Sequence, residues 1–160
     1  MTELILVWKL SDGTIAMGAM GRTHEGESEQ EKITRCLAKT EKELGNGTLK
    51  GAKRLTPRLR SELPGMRFFD SWRLNDGDDV QVDMPLARAQ RMMEIRAERD
   101  RRFGPLDGDW MKATGQKNVT RADAVESVRQ QLRDVPQTVD LEGIATPEEL
   151  EAFQPEWPGV

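Results

Sequence analysis

Apolar and polar positions divide this chain into a strand-rich first half and a helical second half. Leu4 to Leu10, LILVWKL, is apolar and partly β-branched, which predicts a buried strand. Ser11-Asp12-Gly13 is a turn signal, so Thr14 to Met20 is predicted to return as the second strand of a hairpin. Met66 to Asn75 and Val80 to Met84, separated by a polar turn, predict a second hairpin.

A helix is predicted between the two hairpins. Ser28 and Glu31 have the spacing of a capping box, and Gly45-Asn46-Gly47 is a stop signal after Leu44. Cys36 falls on the apolar face of this helix, so we interpret it as a small buried hydrophobic residue. A short strand is also expected at the start of the basic stretch from Thr48 to Arg60.

The clearest helical pattern runs from Pro85 to Phe103, with Asp83 as its cap and Gly104-Pro105 as its predicted end. One side carries apolar residues together with Arg96: Leu86, Ala89, Met92, Met93, Ala97 and Phe103. An adjoining stripe consists of Arg88, Arg91, Arg99 and Arg102, with Ile95 in its middle. Two interpretations of this arginine stripe stay open: a solvated face whose stems cover apolar surface, or a docking face for an acidic partner protein.

Helices are also predicted after the central one. Leu106 to Thr114 predicts a short helix, and Thr120 to about Val135 a longer one that ends at Pro136 and packs antiparallel on the central helix. Thr146-Pro147-Glu148-Glu149 is a strong helix start. Trp157, in the proline-rich end, is expected to anchor that end to the chain or to a partner.

These elements predict an α+β protein: an N-terminal two-hairpin sheet with one covering helix, then a long central helix and a C-terminal helical region with an extended tail. We expect the domain boundary at residue 84, with an α+β domain at 1–84 and the helical region at 85–160.

Composition favours a protein that works through partners. Hydrophobic residues make up 36% of the chain and charged residues 32%, and the net charge is −4. This predicts a modest core that relies on partner contacts. MTELILVWKL has no basic region, and no run reaches the length of a membrane span, so neither a signal peptide nor a membrane partner is expected.

The candidate chemistry is sparse. The chain has a single cysteine and a single histidine, His24, in a polar loop, and it contains no phosphate-binding or nucleophile-elbow motif. We therefore expect no enzyme activity, no cofactor and no metal site; the acidic turn Asn75 to Asp79 resembles a calcium loop only loosely. A regulatory or nucleic-acid-binding module that uses the basic loop 50–60 and the arginine stripe is the alternative, although nucleic acid is an unlikely partner for an acidic chain.

From Leu63 onward the sequence resembles small tail-assembly-chaperone-like proteins of tailed bacteriophages and prophages. The most specific pieces are LRDVP at Leu132 to Pro136 and the ending ATPEEL with Trp157-Pro158. The other matching positions follow in order: Leu63-Pro64, Arg67-Phe68, Trp72, Val82 to Pro85, Ala87-Arg88, Ile95-Arg96, Arg99, Leu106-Asp107, Trp110-Met111 and Gln131. Relatives usually carry Arg-Asn-Ala where this chain has Phe69-Asp70-Ser71, and the segment from Gly115 to Asn118 also differs.

The resemblance implies a non-enzymatic tail protein that acts through protein–protein contacts. It would serve in tail assembly, in the host cytoplasm, or as a structural or fibre-attachment component of the virion tail. Its partners would be tail tube, baseplate or fibre proteins, or copies of itself. We place the predicted partner surface on the helical region, because its narrow apolar seams are hard to bury in a helix pair and because arginine and tryptophan are enriched in binding hot spots: Arg88, Arg91, Arg99, Arg102, Trp110 and Trp157.

Overall fold

A computed structural model describes residues 4–20, 23–44 and 51–159. The chain divides into two compact units, Met1–Asp83 and Met84–Val160. Small antiparallel sheets and one helix make up the first unit, and long helices make up the second. The predicted α+β class is therefore confirmed, and the division lies one residue before the predicted boundary.

The first hairpin forms as predicted. Strands β1 (Leu4–Lys9) and β2 (Ile15–Ala19) pair antiparallel. Gly13 has a φ of 85° in the turn, a conformation that suits glycine. Asp12 accepts hydrogen bonds from the backbone N–H and the hydroxyl of Thr14, and these bonds lower the pKa of its carboxyl group.

Strand β1 lies in the middle of a four-stranded sheet. On its other edge it pairs with β3 (Lys53–Arg54) and with β4 (Arg58–Leu59), both antiparallel. The basic stretch therefore provides two short strands, where the sequence predicted one. The predicted helix stop at Gly45-Asn46-Gly47 lies outside the described residues.

Helix α1 (Glu29–Leu44) covers one face of this sheet and has the predicted capping box. Glu31 accepts a hydrogen bond from the backbone N–H of Ser28, whose hydroxyl accepts one from the N–H of Glu31. Cys36 is buried against β1 together with Leu37, so the interpretation of Cys36 as a core residue is confirmed.

The opposite face of β1 packs on a second, two-stranded sheet. Its strands are β5 (Trp72–Leu74) and β6 (Val80–Val82), so the two hairpins belong to two sheets instead of one. The predicted strand from Met66 to Asn75 is wrong in its first part, because Met66–Ser71 forms 3₁₀ turns. Phe69 and Trp72 pack on the same cluster, and their three-residue spacing suits a 3₁₀ helix better than an alternating strand.

Helix α2 (Met84–Gly115) continues through Gly104-Pro105, where the sequence predicted its end. The separate short helix predicted at Leu106 to Thr114 is therefore wrong. Leu106 and Ala113 are buried on the same helix face as Ile95, so packing continues across the proline. Pro105 itself is exposed, which avoids a clash of its ring with neighbouring elements.

Helix α3 (Val119–Thr138) packs antiparallel on α2, as predicted. Leu106, Val125 and Leu132 form the core of the pair, with Phe103, Val128 and Trp157 against them. Its start and end differ from the prediction: the side chain of Asn118 caps it instead of Thr120, and Pro136 lies inside its last turn instead of ending it.

The chain then turns and enters helix α4 (Pro147–Ala152), which starts at the predicted signal Thr146-Pro147-Glu148-Glu149. Thr146 caps the helix, and the side chain of Glu149 completes the capping box. Leu150 is fully buried. After Phe153 the described tail has no regular secondary structure, as predicted.

Candidate protein-binding surface

Two members of the arginine stripe of α2, Arg88 and Arg91, face the interior of the helical unit. Arg91 is only 7% exposed, and its Nη2 donates to the backbone carbonyl of Phe153 at 2.6 Å, while Nη1 contacts Glu94 at 2.9 Å. Arg88 donates to the carbonyl of Ile144 at 2.7 Å and reaches Glu142 at 3.3 Å. These two guanidinium groups hold the segment on either side of α4 against α2.

A solvated face therefore does not describe Arg88 and Arg91, because their guanidinium groups bind carbonyl groups of the same unit. Arginine can do this because its planar group satisfies several acceptors while its long stem fills apolar space.

Arg99 and Arg102 lie nearer the surface. Arg99 makes a two-nitrogen contact with Asp100, at 2.9 and 2.7 Å. Arg102 pairs with Glu98 at 3.1 Å and lies over the ring of Trp157, with its guanidinium carbon 4.6 Å from the ring centroid. Trp157 is half-buried and packs on the α2–α3 core, so it anchors the tail to the body of the unit.

Two further arginine–aromatic contacts follow along the pair of helices. Arg129 lies 5.5 Å from the ring centroid of Trp110, and Arg133 lies 5.8 Å from that of Phe103. Both arginines bind Glu126, and the hydrogen bond from Arg133 and the charge of Arg129 lower the pKa of that carboxyl group. Contacts of this kind fix the side chains and reduce their freedom to reorganise.

All six predicted contact residues lie in the helical unit, and each has contacts there that orient its side chain or bury it. The contact of Arg99 is with its neighbour Asp100. That these residues contact a partner stays a prediction.

The large exposed apolar side chains of this unit include one predicted contact residue, Trp110. Trp110, Met111 and Val119 stand at the end of the helical pair where α2 passes into α3, with 36%, 69% and 68% exposure. Leu86 and Met93 are 40% and 61% exposed on the outer side of α2. The sequence pattern separated an apolar side of α2 from the arginine stripe. It did not show which of these two sides packs inside the helical unit and which is exposed.

A shallow groove of about 460 Å³ runs between the end of α3 and the tail. Val135, Val139, Phe153 and Pro155 contribute its apolar lining, and Asp140 and Glu156 its acidic groups. A second depression of about 310 Å³ continues it along Trp157 and Pro158. Neither the groove nor the depression is lined by a set of side chains typical of a catalytic site.

The basic loop is largely neutralised by nearby acids. Lys53 pairs with Asp78 at 3.1 Å and Arg58 with Asp79 at 3.0 Å. Arg54 pairs with Glu41 at 3.5 Å. Lys50 lies outside the described residues. Phosphate binding needs free positive charge, and these pairs reduce the free charge of the loop.

Within residues 4–20, 23–44 and 51–159, no group of three or more His, Cys, Asp or Glu side chains could hold a metal ion. No helix in the same ranges is long and apolar enough to cross a membrane. No family model, curated protein or solved structure matches this chain.

Proposed function

We propose that this protein is a non-enzymatic bacteriophage tail protein that binds other tail proteins through its helical unit. The observation that carries the proposal is the exposure of three large apolar side chains near the end of the α2–α3 pair: Trp110, Met111 and Val119. Exposed large apolar side chains near one end of a helical pair, in a chain that is 32% charged, suit a protein-binding surface.

The resemblance to tail proteins supports the proposal in a limited way. Many of its positions are buried, including Leu63, Trp72, Ala87, Ile95 and Leu132. Buried positions determine how helices and strands pack, so matches at these positions favour a shared fold. Trp110-Met111 is the part of the resemblance that reaches the exposed end of the helical pair.

Two roles are compatible with such a surface. As an assembly factor, the protein would bind tail tube, baseplate or fibre proteins in the host cytoplasm and leave before maturation. As a virion component, it would stay in the tail, for example at a fibre attachment. Mass spectrometry of purified virions of the phage or prophage that encodes the protein separates the two: stoichiometric presence indicates a virion component, and absence an assembly factor.

The binding surface is tested with Val119→Glu in a co-purification assay with the tail proteins encoded in the same genome. A charge in the middle of an apolar contact should weaken association by roughly tenfold or more. Glutamate in the first turn of a helix interacts favourably with the helix dipole, so the fold should be preserved. The matched control is Met66→Glu, because Met66 is an exposed methionine of the other unit.

The proposal fails if the protein is absent from virions and also binds no tail protein. Trp157→Ala is not a clean test of binding, because Trp157 packs on the core of the unit and stacks with Arg102. We expect that substitution to lower the thermal midpoint, whatever its effect on assembly.

A further inference from the structure

The groove between the end of α3 and the tail has an apolar floor. Val135 and Val139 belong to its α3 side, and Phe153 and Pro155 to its tail side. The groove has a volume of about 460 Å³, and the adjoining depression along Trp157 extends it. It therefore has room for several side chains of a bound segment.

The tail side of the groove is held in place by arginines of α2. Arg91 donates to the backbone carbonyl of Phe153 at 2.6 Å, and the guanidinium carbon of Arg102 lies 4.6 Å from the ring centroid of Trp157. Pro155, between these two points, is buried. A groove with such fixed walls loses little conformational freedom when it is occupied, which favours binding.

Negative charge is concentrated in the part of the chain that forms the groove. Residues 134–160 contain seven carboxylate side chains and no lysine, arginine or histidine. The whole chain has a net charge of −4, so the residues before 134 carry a net charge of +3. We name residues 134–160 the acidic segment. Its carboxylates are Asp134, Asp140, Glu142, Glu148, Glu149, Glu151 and Glu156.

Three carboxylates of the acidic segment line the groove or its extension: Asp134, Asp140 and Glu156. Asp134 accepts a hydrogen bond from the amide of Gln130 at 3.0 Å, and Asp140 accepts one from the backbone N–H of Glu142 at 2.8 Å. Both donors are uncharged. Among the described residues, Glu142 is the one member of the acidic segment that pairs with an arginine. The charge at the groove is therefore not neutralised within the described chain.

We propose that this groove binds a basic segment of a partner protein that carries apolar side chains among its arginines or lysines. The apolar side chains and the stems of the basic ones cover the floor, while the cationic groups reach Asp140 and Glu156. The inference goes beyond the proposed tail function and does not depend on it, because the groove is separate from Trp110, Met111 and Val119.

Charge distinguishes this occupant from others. Nucleic acid and acidic peptides bring further negative charge to a surface whose carboxylates are not neutralised, so they are repelled. An uncharged apolar segment gains no attraction from Asp140 and Glu156. A segment with both apolar and basic side chains matches the floor of the groove and its acidic groups together.

The test measures the binding of three fluorescently labelled peptides of equal length to the full-length protein by fluorescence anisotropy. One peptide alternates leucine with arginine, one leucine with glutamate, and one serine with arginine. We expect the leucine–arginine peptide to bind, with an affinity that falls as salt is added, since the carboxylates are solvent-accessible. The leucine–glutamate peptide should not bind. The serine–arginine peptide should bind roughly tenfold more weakly, because it lacks the apolar side chains.

The site of binding is tested with Asp140→Asn/Glu156→Gln. Asparagine keeps an acceptor for the N–H of Glu142, so the fold should be preserved. This variant should bind the leucine–arginine peptide about three- to tenfold more weakly at low salt. Glu148→Gln/Glu151→Gln is the matched control, because it removes the same charge from exposed positions of α4 that do not line the groove. It should bind like the unmodified protein, and both variants should keep its thermal midpoint.

Four results would overturn the proposal. The leucine–arginine peptide does not bind; the leucine–glutamate or serine–arginine peptide binds as tightly as it does; or the two double variants lose affinity equally, which indicates attraction by net charge alone. The fourth is a dimer, seen by light scattering, that Asp140→Asn/Glu156→Gln abolishes, since the groove would then belong to a second copy of this chain.

Discussion

Single side chains fix the start of α1 through short hydrogen bonds. Glu27 is held from two directions: Arg35 binds both of its carboxylate oxygens, at 2.6 and 2.8 Å, and the backbone N–H of His24 donates to it at 2.9 Å. The hydrogen bond from Arg35, followed by the one from His24, lowers the pKa of Glu27 from 4.5 to about 2. The loop before the helix is thereby tied to its second turn.

The lowered pKa of Glu27 predicts that the stability of the folded protein depends on pH. The folded state favours the ionised carboxylate, so its contribution is present above pH 4.5 and is lost as the pH falls towards 2. Glu27→Gln should lower the thermal midpoint at neutral pH, and the difference from the unmodified protein should shrink between pH 4.5 and 2. Thermal unfolding followed by circular dichroism over this pH range measures it.

Glu25→Gln, in the same loop and exposed, is the control and should behave like the unmodified protein. A difference between Glu27→Gln and the unmodified protein that stays constant from pH 7 to pH 2 would contradict the role of the Glu27 charge.

At the scale of single residues, contacts between neighbours in the sequence could be predicted, and contacts between residues far apart in the sequence could not. Ser28 with Glu31 and Thr146 with Glu149 follow from a three-residue spacing. Arg91 binds the carbonyl of Phe153, which no local pattern indicates. An arginine on a helix is expected in water, and only the packed position of the tail shows that this one is buried.

Helix α2 is the element that organises the second unit, and it includes a proline in its interior. Pro105 cannot donate to the carbonyl of Arg101, so one helical hydrogen bond is lost there. Helix continuity is maintained by packing on both sides of the proline, where Ile95, Leu106 and Ala113 are buried on one face.

Pro105→Ala should therefore stabilise the helical unit. The substitution restores the hydrogen bond and removes a residue that is unfavourable within a helix, and Pro105 is exposed, so no packing is lost. We expect the free energy of unfolding to rise by about 1–3 kcal/mol. Urea unfolding followed by circular dichroism measures the change.

Pro85→Ala is the matched control, because proline is well tolerated in the first turn of a helix. Equal stability of the two variants would show that Pro105 causes no strain in α2.

The starts of α1 and α4 were predictable because a capping box sets each of them, whereas boundaries that depend on packing were missed. The start of α4 follows from its capping box, whereas Gly104-Pro105 and Pro136 are strong stop signals that tertiary contacts override. The segment Met66–Ser71 was missed for a related reason: its aromatic residues suit a strand by composition, but the core requires Phe69 and Trp72 on one side.

At the scale of the whole molecule, each unit has hydrophobic clusters of its own. The clusters around Trp72 and around Trp8 lie in residues of the first unit, and the one around Leu132 in residues of the second. The α+β class was predictable because hairpin and helix patterns occupy separate parts of the chain. The pairing of β1 with two strands from the basic stretch was not predictable, because each of those strands is only two residues long.

Separate cores predict that the helical unit folds alone. A fragment of residues 84–160 should show a helical circular dichroism spectrum and a cooperative thermal transition. A fragment of residues 84–104 lacks α3 and should be largely unfolded, because an isolated helix of this length is marginal in water. An unfolded 84–160 fragment would contradict the independence of the two cores.

The central place of β1 in its sheet has a consequence for the order in which the protein can fold during synthesis. Leu4 pairs with Leu59 and Trp8 with Arg54, so β1 leaves the ribosome well before its partners on this edge. Until Leu59 has been made, the nascent strand has one unpaired edge, and the apolar face that packs on Trp72 and Val82 is covered later still. Such exposed segments favour aggregation and chaperone binding. The helical pair, whose partners are neighbours in sequence, closes without a comparable delay.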